Sequence, residues 1–162
     1  MKILCFSDSH GESRLMRRAL SMHPDCECVF FLGDGLSDIY DITPDFPRVA
    51  FYSVRGNCDF SPVFSHIEKC EIITLKEKRI LLTHGDIFGV KGSLGSLMAH
   101  AVRCGCNIIL FGHTHTPYEK YISEGEIHLF NPGSISVGYG GHTYGIITLT
   151  ETSVLFSHGR VD

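Results

Sequence analysis

Leu110-Phe111-Gly112-His113-Thr114-His115 is the stretch around which this chain is organised. The apolar run from Asn107 to Phe111 predicts a buried strand, and two histidines separated by one residue follow its terminal glycine. In extended backbone, residues i and i+2 point the same way, so we expect both imidazoles to meet at one point beyond the strand end. A single His-x-His is more often two polar loop residues than a metal site, so the interpretation depends on the rest of the chain.

The composition predicts one globular domain that spans residues 1–162. The chain has a mass of 18.0 kDa, with 43% hydrophobic and 20% charged residues, which is ordinary for a folded chain large enough to bury a core. Its formal net charge of -4 argues against a general nucleic-acid-binding surface. This negative charge does not exclude a small phosphoester substrate, because a bound metal can supply the positive charge. No apolar run reaches membrane-spanning length.

The cysteine pattern predicts a reducing, cytoplasmic environment. Seven cysteines are present, an odd number without a Cys-x-x-Cys pair, and Met1 to Phe6 leads directly into a predicted strand rather than a signal peptide. Six of them are interpreted as small core residues: Cys5, Cys26, Cys28, Cys70, Cys104 and Cys106.

Strand, polar loop and helix follow one another repeatedly in the first two thirds of the chain. Predicted strands cover Lys2–Ser7, Cys28–Leu32 and Arg48–Val54, and the helix after the first buries one apolar stripe at helical spacing. Four residues form that stripe: Leu15, Met16, Ala19 and Leu20. Hairpins are predicted for 70–83, 118–130 and 143–158. The sequence therefore predicts an α/β fold whose α/β units come first and whose antiparallel strands close the chain.

Five predicted strand ends carry side chains of the kinds that bind metals. In chain order these are Asp8 with His10, Asp34, Asn57, His84, and His113 with His115. Each set lies at the carboxyl end of a strand, which is where such sheets bind ligands. Imidazoles and carboxylates without a thiolate suit Mn, Fe, Zn, Co or Ni better than Ca. Seven side chains are too many for one four-coordinate ion, but they suit two ions about 3.5–4 Å apart.

These motifs resemble those of the calcineurin-like metallophosphoesterase superfamily, in the same order along nearly the whole chain. They stand here as Asp8-Ser9-His10, Gly33-Asp34, Gly56-Asn57-Cys58-Asp59, His84-Gly85 and Gly112-His113-Thr114-His115. The short length, Cys58 in the third motif and the 131–134 turn are similar to the small bacterial and archaeal phosphodiesterase branch, the YfcE-like proteins.

The resemblance implies a β-sandwich flanked by helices, and a two-metal hydrolase of phosphoric esters. Asp8, His10 and His115 would hold the first metal, and Asn57, His84 and His113 the second. Asp34 would bridge the two ions, for which Mn²⁺ is the first choice and Ni²⁺, Fe²⁺, Zn²⁺ and Co²⁺ are alternatives. A hydroxide between the ions would attack phosphorus in line with the leaving oxygen. Relatives often form dimers or tetramers, so a homo-oligomer is left open.

Two positions depart from the common pattern. Cys58 stands where many members of the superfamily have a histidine that can act as general acid, so Cys58 and Asp59 join Asp34 and Asn57 as candidate catalytic residues. Asp86 follows His84-Gly85 where relatives often have a second histidine. It is predicted either to hydrogen-bond a ligand histidine or to cap the loop that follows.

Other functions are considered beside the phosphodiesterase. A phosphomonoesterase would use the same ligands. A non-catalytic scaffold, the role of the retromer subunit of this superfamily, would tolerate loss of a ligand, whereas all seven are present here. Phe60, Phe64 and Phe88 follow ligand loops and could wall a leaving-group site, although core packing is favoured for all three.

Overall fold

The computed structural model describes residues 1–136, 138 and 141–162. The described helices are α1 (Ser13–Met22), α2 (Leu36–Ile42) and α3 (Gly95–Arg103). The described strands are β1 (Lys2–Phe6), β2 (Cys28–Phe31), β3 (Ala50–Ser53), β4 (Cys70–Leu75), β5 (Lys78–Thr83), β6 (Ile108–Phe111), β7 (Pro117–Ile122), β8 (Ile127–Pro132), β9 (Thr143–Leu149) and β10 (Val154–Arg160). Short 3₁₀ turns cover Thr43–Asp45, Pro62–Phe64 and Asp86–Phe88.

These strands form two five-stranded sheets. The first has the order β10-β9-β1-β2-β3, and the second has the order β4-β5-β6-β8-β7. Strands β1, β2 and β3 run parallel in the first sheet, as β5, β6 and β8 do in the second. Parallel strands end at the same edge, so the loops after β1, β2 and β3 lie together, and so do those after β5 and β6.

The sheets pack face to face; α1 and α2 cover the outer face of the first sheet, and α3 covers that of the second. Alternation along β1 directs Ile3 and Cys5 to the core between the sheets, whereas Leu4 and Phe6 face α1 and α2. In β6, Ile108 and Leu110 face the same inner core, and the alternate residues of that strand pack against α3. Because both faces of these central strands are buried, their sequences are continuous apolar runs.

The predicted fold class is confirmed as a mixed α/β sandwich with flanking helices. The predicted stripe of α1 is buried, and Gly105 follows α3 with a φ of +67°, as expected for a helix C-terminus. One detail is wrong: Asn131 and Pro132 belong to β8, so the predicted turn begins only at Gly133. Within the described ranges, none of the helices has both the length and the apolar content needed to cross a bilayer.

Candidate metal centre

The seven predicted ligands come together where the loops of both sheets meet. The backbone N–H of His113 donates to Asp8 Oδ2 over 3.1 Å, which joins the loop after β6 to the loop after β1. In the first sheet, Asp8 N donates to the Gly33 carbonyl over 2.9 Å and His10 N donates to the Asp34 carbonyl over 3.2 Å. Backbone hydrogen bonds therefore hold the ligand loops together.

Five of these residues have left-handed backbone, which non-glycine residues seldom adopt. They are Asp8 (φ 54°), His10 (φ 45°), Asp34 (φ 61°), His113 (φ 66°) and His115 (φ 60°). Such conformations cost about 1–3 kcal/mol each and cluster at functional sites. The strand ends turn sharply here, so the side chains point back toward the junction of the two sheets.

This backbone corrects the interpretation of the His-x-His pair. Because His113 and His115 are left-handed rather than extended, they do not meet at one point. Asp8, His10 and His115 form one group of candidate ligand atoms, and Asp34, His84 and His113 form another; within each group the atoms lie within 4.8 Å of one another. Two groups of donors thus lie side by side instead of one.

Asp8 presents a buried carboxylate oxygen to three imidazoles. Its Oδ2 accepts hydrogen bonds from Ser7 Oγ (2.5 Å) and from the backbone N–H of His113. Its Oδ1 is buried and accepts none from the described residues. The Nε2 atoms of His115, His84 and His10 lie 3.0, 3.9 and 4.0 Å from this oxygen. A buried anionic oxygen without a hydrogen-bond donor needs a positive charge nearby.

His84 is fully buried and its ring orientation is fixed. Its Nδ1 lies 2.7 Å from the Leu32 carbonyl, so Nδ1 carries the proton that it donates there and Nε2 is the ring atom that faces the other candidate ligands. Around Nε2 lie Asn57 Oδ1 and His113 Nδ1, each at 3.1 Å, and Asp34 Oδ2 at 3.3 Å. Four atoms that bind cations therefore surround one small space.

The pKa values reflect the concentration of negative charge. Burial lowers the pKa of His84, but the carboxylates of Asp34 and Asp8 outweigh burial and raise it above its usual value. Burial raises the pKa of Asp34, but hydrogen bonds from His84 and from the Cys58 backbone N–H hold it well below its usual range. Burial and nearby His84 lower the pKa of His113. Asp34 is therefore ionised and His113 neutral at pH 7, which are the forms that bind metal.

The donor set fits divalent metal ions. It combines imidazole nitrogens with carboxylate and amide oxygens, and the buried Asp8 Oδ1 accepts no hydrogen bond from the described residues. Asp34 is shared: besides its group with His84 and His113, it forms a group with His10 and Cys58. It thus lies between the two sets of donors, as a bridging ligand would.

The motif-based resemblance is confirmed by comparison with known proteins. A model of the calcineurin-like phosphoesterase superfamily domain matches residues 1–153. The chain belongs to the calcineurin-like phosphoesterase superfamily. It is 32% identical to the probable metallophosphoesterase YsnB of Bacillus subtilis, over 92% of this chain and 85% of YsnB. It is 30% identical to the phosphodiesterase YfcE of Escherichia coli, over 96% of this chain and 91% of YfcE.

Solved structures of the superfamily share the fold. A predicted phosphoesterase from Streptococcus pneumoniae superposes with a TM-score of 0.78 at 25% identity, covering 97% of this chain and 87% of that one. A single mutant of Vps29 from Entamoeba histolytica superposes with a TM-score of 0.75 at 20% identity, covering all of both chains. The second likeness concerns the fold alone.

Asp59 has a role that the superfamily motif does not reveal. Its carboxylate is buried and accepts four backbone N–H bonds: Oδ2 from Asp34 and Gly56, each at 2.8 Å, and Oδ1 from Gly35 and Leu36, each at 2.9 Å. Both oxygens are used to hold the loop that carries Asp34 against the loop that carries Asn57. The structure therefore supports a positioning role for Asp59 rather than the predicted catalytic one.

Gly56 allows this close approach of the two loops. A Cβ at this position would lie 2.1 Å from Asp34 Oδ1 and 2.5 Å from Asp34 N. The glycine of the third motif is thus needed because no side chain fits beside the shared carboxylate.

Other buried polar groups form hydrogen bonds to the loops that carry the predicted ligands. Asp38 accepts hydrogen bonds from Ser9 Oγ (2.6 Å) and Gly11 N (2.8 Å) next to His10. Asn131 Nδ2 donates to the Gly112 carbonyl over 2.9 Å, beside the His-x-His loop. Sequence reasoning assigned no role to Asp38, because its partners Ser9 and Gly11 are distant from it in the sequence.

Asp86 forms a contact that neither predicted alternative includes. Its Oδ2 lies 2.7 Å from Lys69 Nζ in an ion pair, and its Oδ1 is buried and accepts no hydrogen bond from the described residues. Asp86 therefore anchors Lys69 to the turn that follows β5.

Cys58 is exposed beside Asp34. Its backbone N–H donates to Asp34 Oδ1 over 2.6 Å, and Asn57 Nδ2 lies 3.2 Å from its sulfur. Partial burial and the neighbouring Asp34 raise the pKa of the thiol to about 11, so it is protonated at pH 7. The other six cysteines are buried or half-buried, in agreement with their interpretation as core residues.

Proposed function

We propose that this protein is a metal-dependent phosphodiesterase that uses two divalent cations, with Mn²⁺ as the preferred ion. Asp8, His10 and His115 would hold one cation, Asn57, His84 and His113 the other, and Asp34 would bind both. The observation that carries the proposal is the buried Asp8 Oδ1, which accepts no hydrogen bond from the described residues and faces three imidazoles. When bound, the cations would neutralise phosphoryl oxygens and make water a stronger nucleophile near neutral pH.

The residues of the chain provide orientation and a place for the substrate. The Leu32 carbonyl fixes His84 with Nε2 toward the other candidate ligands, and the Cys58 backbone N–H holds the Asp34 carboxylate. Because side-chain torsions are held by these contacts, little reorganisation is needed on metal binding. Cys58 lines the cleft beside His10 and Asp34, and its protonated thiol could donate a proton to a leaving oxygen.

The space beside the metal centre favours diesters over monoesters, because a diester carries a second ester group that the site must accommodate. A cleft of about 480 Å³ adjoins His10, Asp34 and Cys58 and offers space for an ester group. The relative YfcE, which is named a phosphodiesterase, supports the same choice.

Hydrolysis of bis(p-nitrophenyl) phosphate and p-nitrophenyl phosphate with added Mn²⁺ tests the proposal. We expect metal-dependent release of nitrophenol from both and a higher kcat/KM for the diester. A higher value for the monoester would indicate a phosphomonoesterase. No hydrolysis by metal-loaded protein would favour the non-catalytic scaffold.

Metal affinity should fall as the pH is lowered. In the metal-free protein the pKa of His84 is raised, so this ring keeps its proton to a higher pH than an ordinary histidine and a metal must displace it. Below that pKa, each pH unit weakens binding up to about tenfold for each proton displaced. We expect the apparent Kd for Mn²⁺ to rise steadily as the pH falls, beginning above the ordinary histidine pKa of ~6.5. His128→Asn, which changes a histidine in β8, should leave the slope unchanged; a Kd independent of pH would contradict the assignment of His84.

The rate should depend steeply on the leaving group. A good aryl leaving group carries its negative charge alone, whereas an alkoxide needs a proton from a general acid. Cys58 hydrogen-bonds weakly and cannot carry a positive charge toward the phosphate. We therefore expect Cys58→His to raise rates on alkyl esters more than on aryl esters in a leaving-group series at fixed metal. A flat dependence in the wild type, or an equal fall in both classes in the variant, would show that Cys58 does not limit leaving-group protonation.

A further inference from the structure

One wall of the cleft beside the metal centre is aromatic. The cleft of about 480 Å³ is lined by His10, Asp34 and Cys58, and also by Phe60 and Phe64. The predicted ligands and the phenyl rings thus face one continuous space. An ester group of a phosphate held by the metals would extend along this space.

Phe60 is not the core residue that the sequence suggested. It is 82% exposed, and the neighbouring Val63 is 68% exposed. Phe64 is half-buried and packs against the core, and Tyr40 of α2 stacks on it with ring centroids 5.6 Å apart. An apolar patch beside a polar site marks a binding surface more often than an isolated exposed residue does.

The backbone that carries Phe60 is fixed. Asp59, the preceding residue, is held by its four bonds to backbone N–H groups. On the other side, Phe64 N donates to the Ser61 carbonyl over 3.0 Å and starts the Pro62–Phe64 turn. A ring presented from a fixed backbone loses little freedom when a ligand binds to it.

We propose that Phe60 determines specificity by stacking against a planar aromatic ring on the leaving ester group of the substrate. The inference rests on the proposed function and adds the class of ester that the site selects. Continuity with the metal centre favours a substrate ring over a second copy of the chain, because a protein partner on Phe60 would also cover the entrance to His10 and Asp34. Stacking of flat rings and loss of exposed apolar area both favour an aromatic ester.

The test compares two substrates whose leaving groups have similar acidity but different shape. Methyl phenyl phosphate has a planar leaving group, and methyl hexafluoroisopropyl phosphate has a compact non-aromatic one. The methyl phosphate released with Mn²⁺ is quantified by chromatography after quenching with EDTA. Similar acidity removes the chemical advantage of an aryl leaving group, so the ratio of the two kcat/KM values reports recognition.

We expect Phe60→Ala to lower the ratio of kcat/KM for the phenyl ester to kcat/KM for the alkyl ester by about five- to tenfold. This is near the lower end of the losses caused by removing an aromatic ring from a stacking site. The change should come mainly from KM. Phe60→Leu keeps an apolar side chain without a ring and should lose most of the preference. Leu155→Ala is the matched control, because it truncates another apolar side chain, 65% exposed, on β10; it should leave both rates unchanged.

A ratio that stays within twofold of wild type in Phe60→Ala would overturn the inference while the phosphodiesterase proposal stands. If the ratio is unchanged and Phe60→Ala elutes later than the wild type in gel filtration, the patch is an interface between copies of the chain. A metal-loaded wild type that hydrolyses neither ester would overturn the proposed function itself.

Discussion

Asp34→Asn is expected to lose more activity than substitution of any histidine ligand. Asp34 lies between the two groups of donors and accepts a hydrogen bond from the Cys58 backbone, so replacing its charged oxygen should weaken both metal positions together. Changing residues that merely support ligands costs about 10–100-fold, and loss of a shared ligand should exceed that range. The measurement is kcat/KM on an aryl phosphodiester at saturating Mn²⁺.

His84→Ala and His115→Ala provide the comparison, since each should affect one group of donors. Asp25→Asn is the matched control, because it makes the same chemical change at an exposed ion pair with Lys2. A loss in Asp34→Asn that is equal to or smaller than the loss in either histidine variant would show that Asp34 does not serve both metals.

Asp59→Asn is expected to destabilise the protein as well as inactivate it. Each carboxylate oxygen of Asp59 accepts two buried backbone N–H bonds. An asparagine keeps one such oxygen and turns an NH₂ group toward the other two donors. Each buried donor left without an acceptor costs about 1–3 kcal/mol, so the free energy of unfolding should fall by about 2–6 kcal/mol. Urea denaturation in EDTA measures this without a contribution from bound metal.

Asp38→Asn is the matched control for this change. The two hydrogen bonds of Asp38, from Ser9 and Gly11, both fall on Oδ2, and the single carbonyl oxygen of an asparagine can accept both. It should therefore lose much less stability than Asp59→Asn. If Asp59→Asn kept wild-type stability but lost one limb of the pH–rate profile, Asp59 would be an acid or base and not a positioning residue.

The strands and the identity of the ligand residues could be predicted because they depend on local sequence. Apolar runs that end in glycine and a polar residue mark the central strands, and β1, β2 and β6 begin and end within about two residues of the predicted bounds. The superfamily followed from the order of the motifs. These features need no knowledge of which loops approach each other.

The geometry of the site depends on contacts between distant residues and could not be predicted. The left-handed backbone of His113 and His115 occurs where the loop after β6 is hydrogen-bonded to Asp8 at the edge of the other sheet, so the pair does not follow the extended pattern. Asp59 binds backbone groups more than twenty positions earlier in the chain, which no local pattern indicates. Phe60 was assigned to the core because it is apolar, yet its neighbours leave it exposed. In each case tertiary structure overrides local preference.

The number of metal ions needed for activity tests the account most directly. Metal-free protein is titrated with Mn²⁺, and bound metal per chain is measured alongside the hydrolysis of an aryl phosphodiester. We expect activity to reach its plateau at about two ions per chain, as two-metal hydrolases require, and we expect Asp34→Asn to lose both positions together. Full activity with a single bound ion would contradict the account.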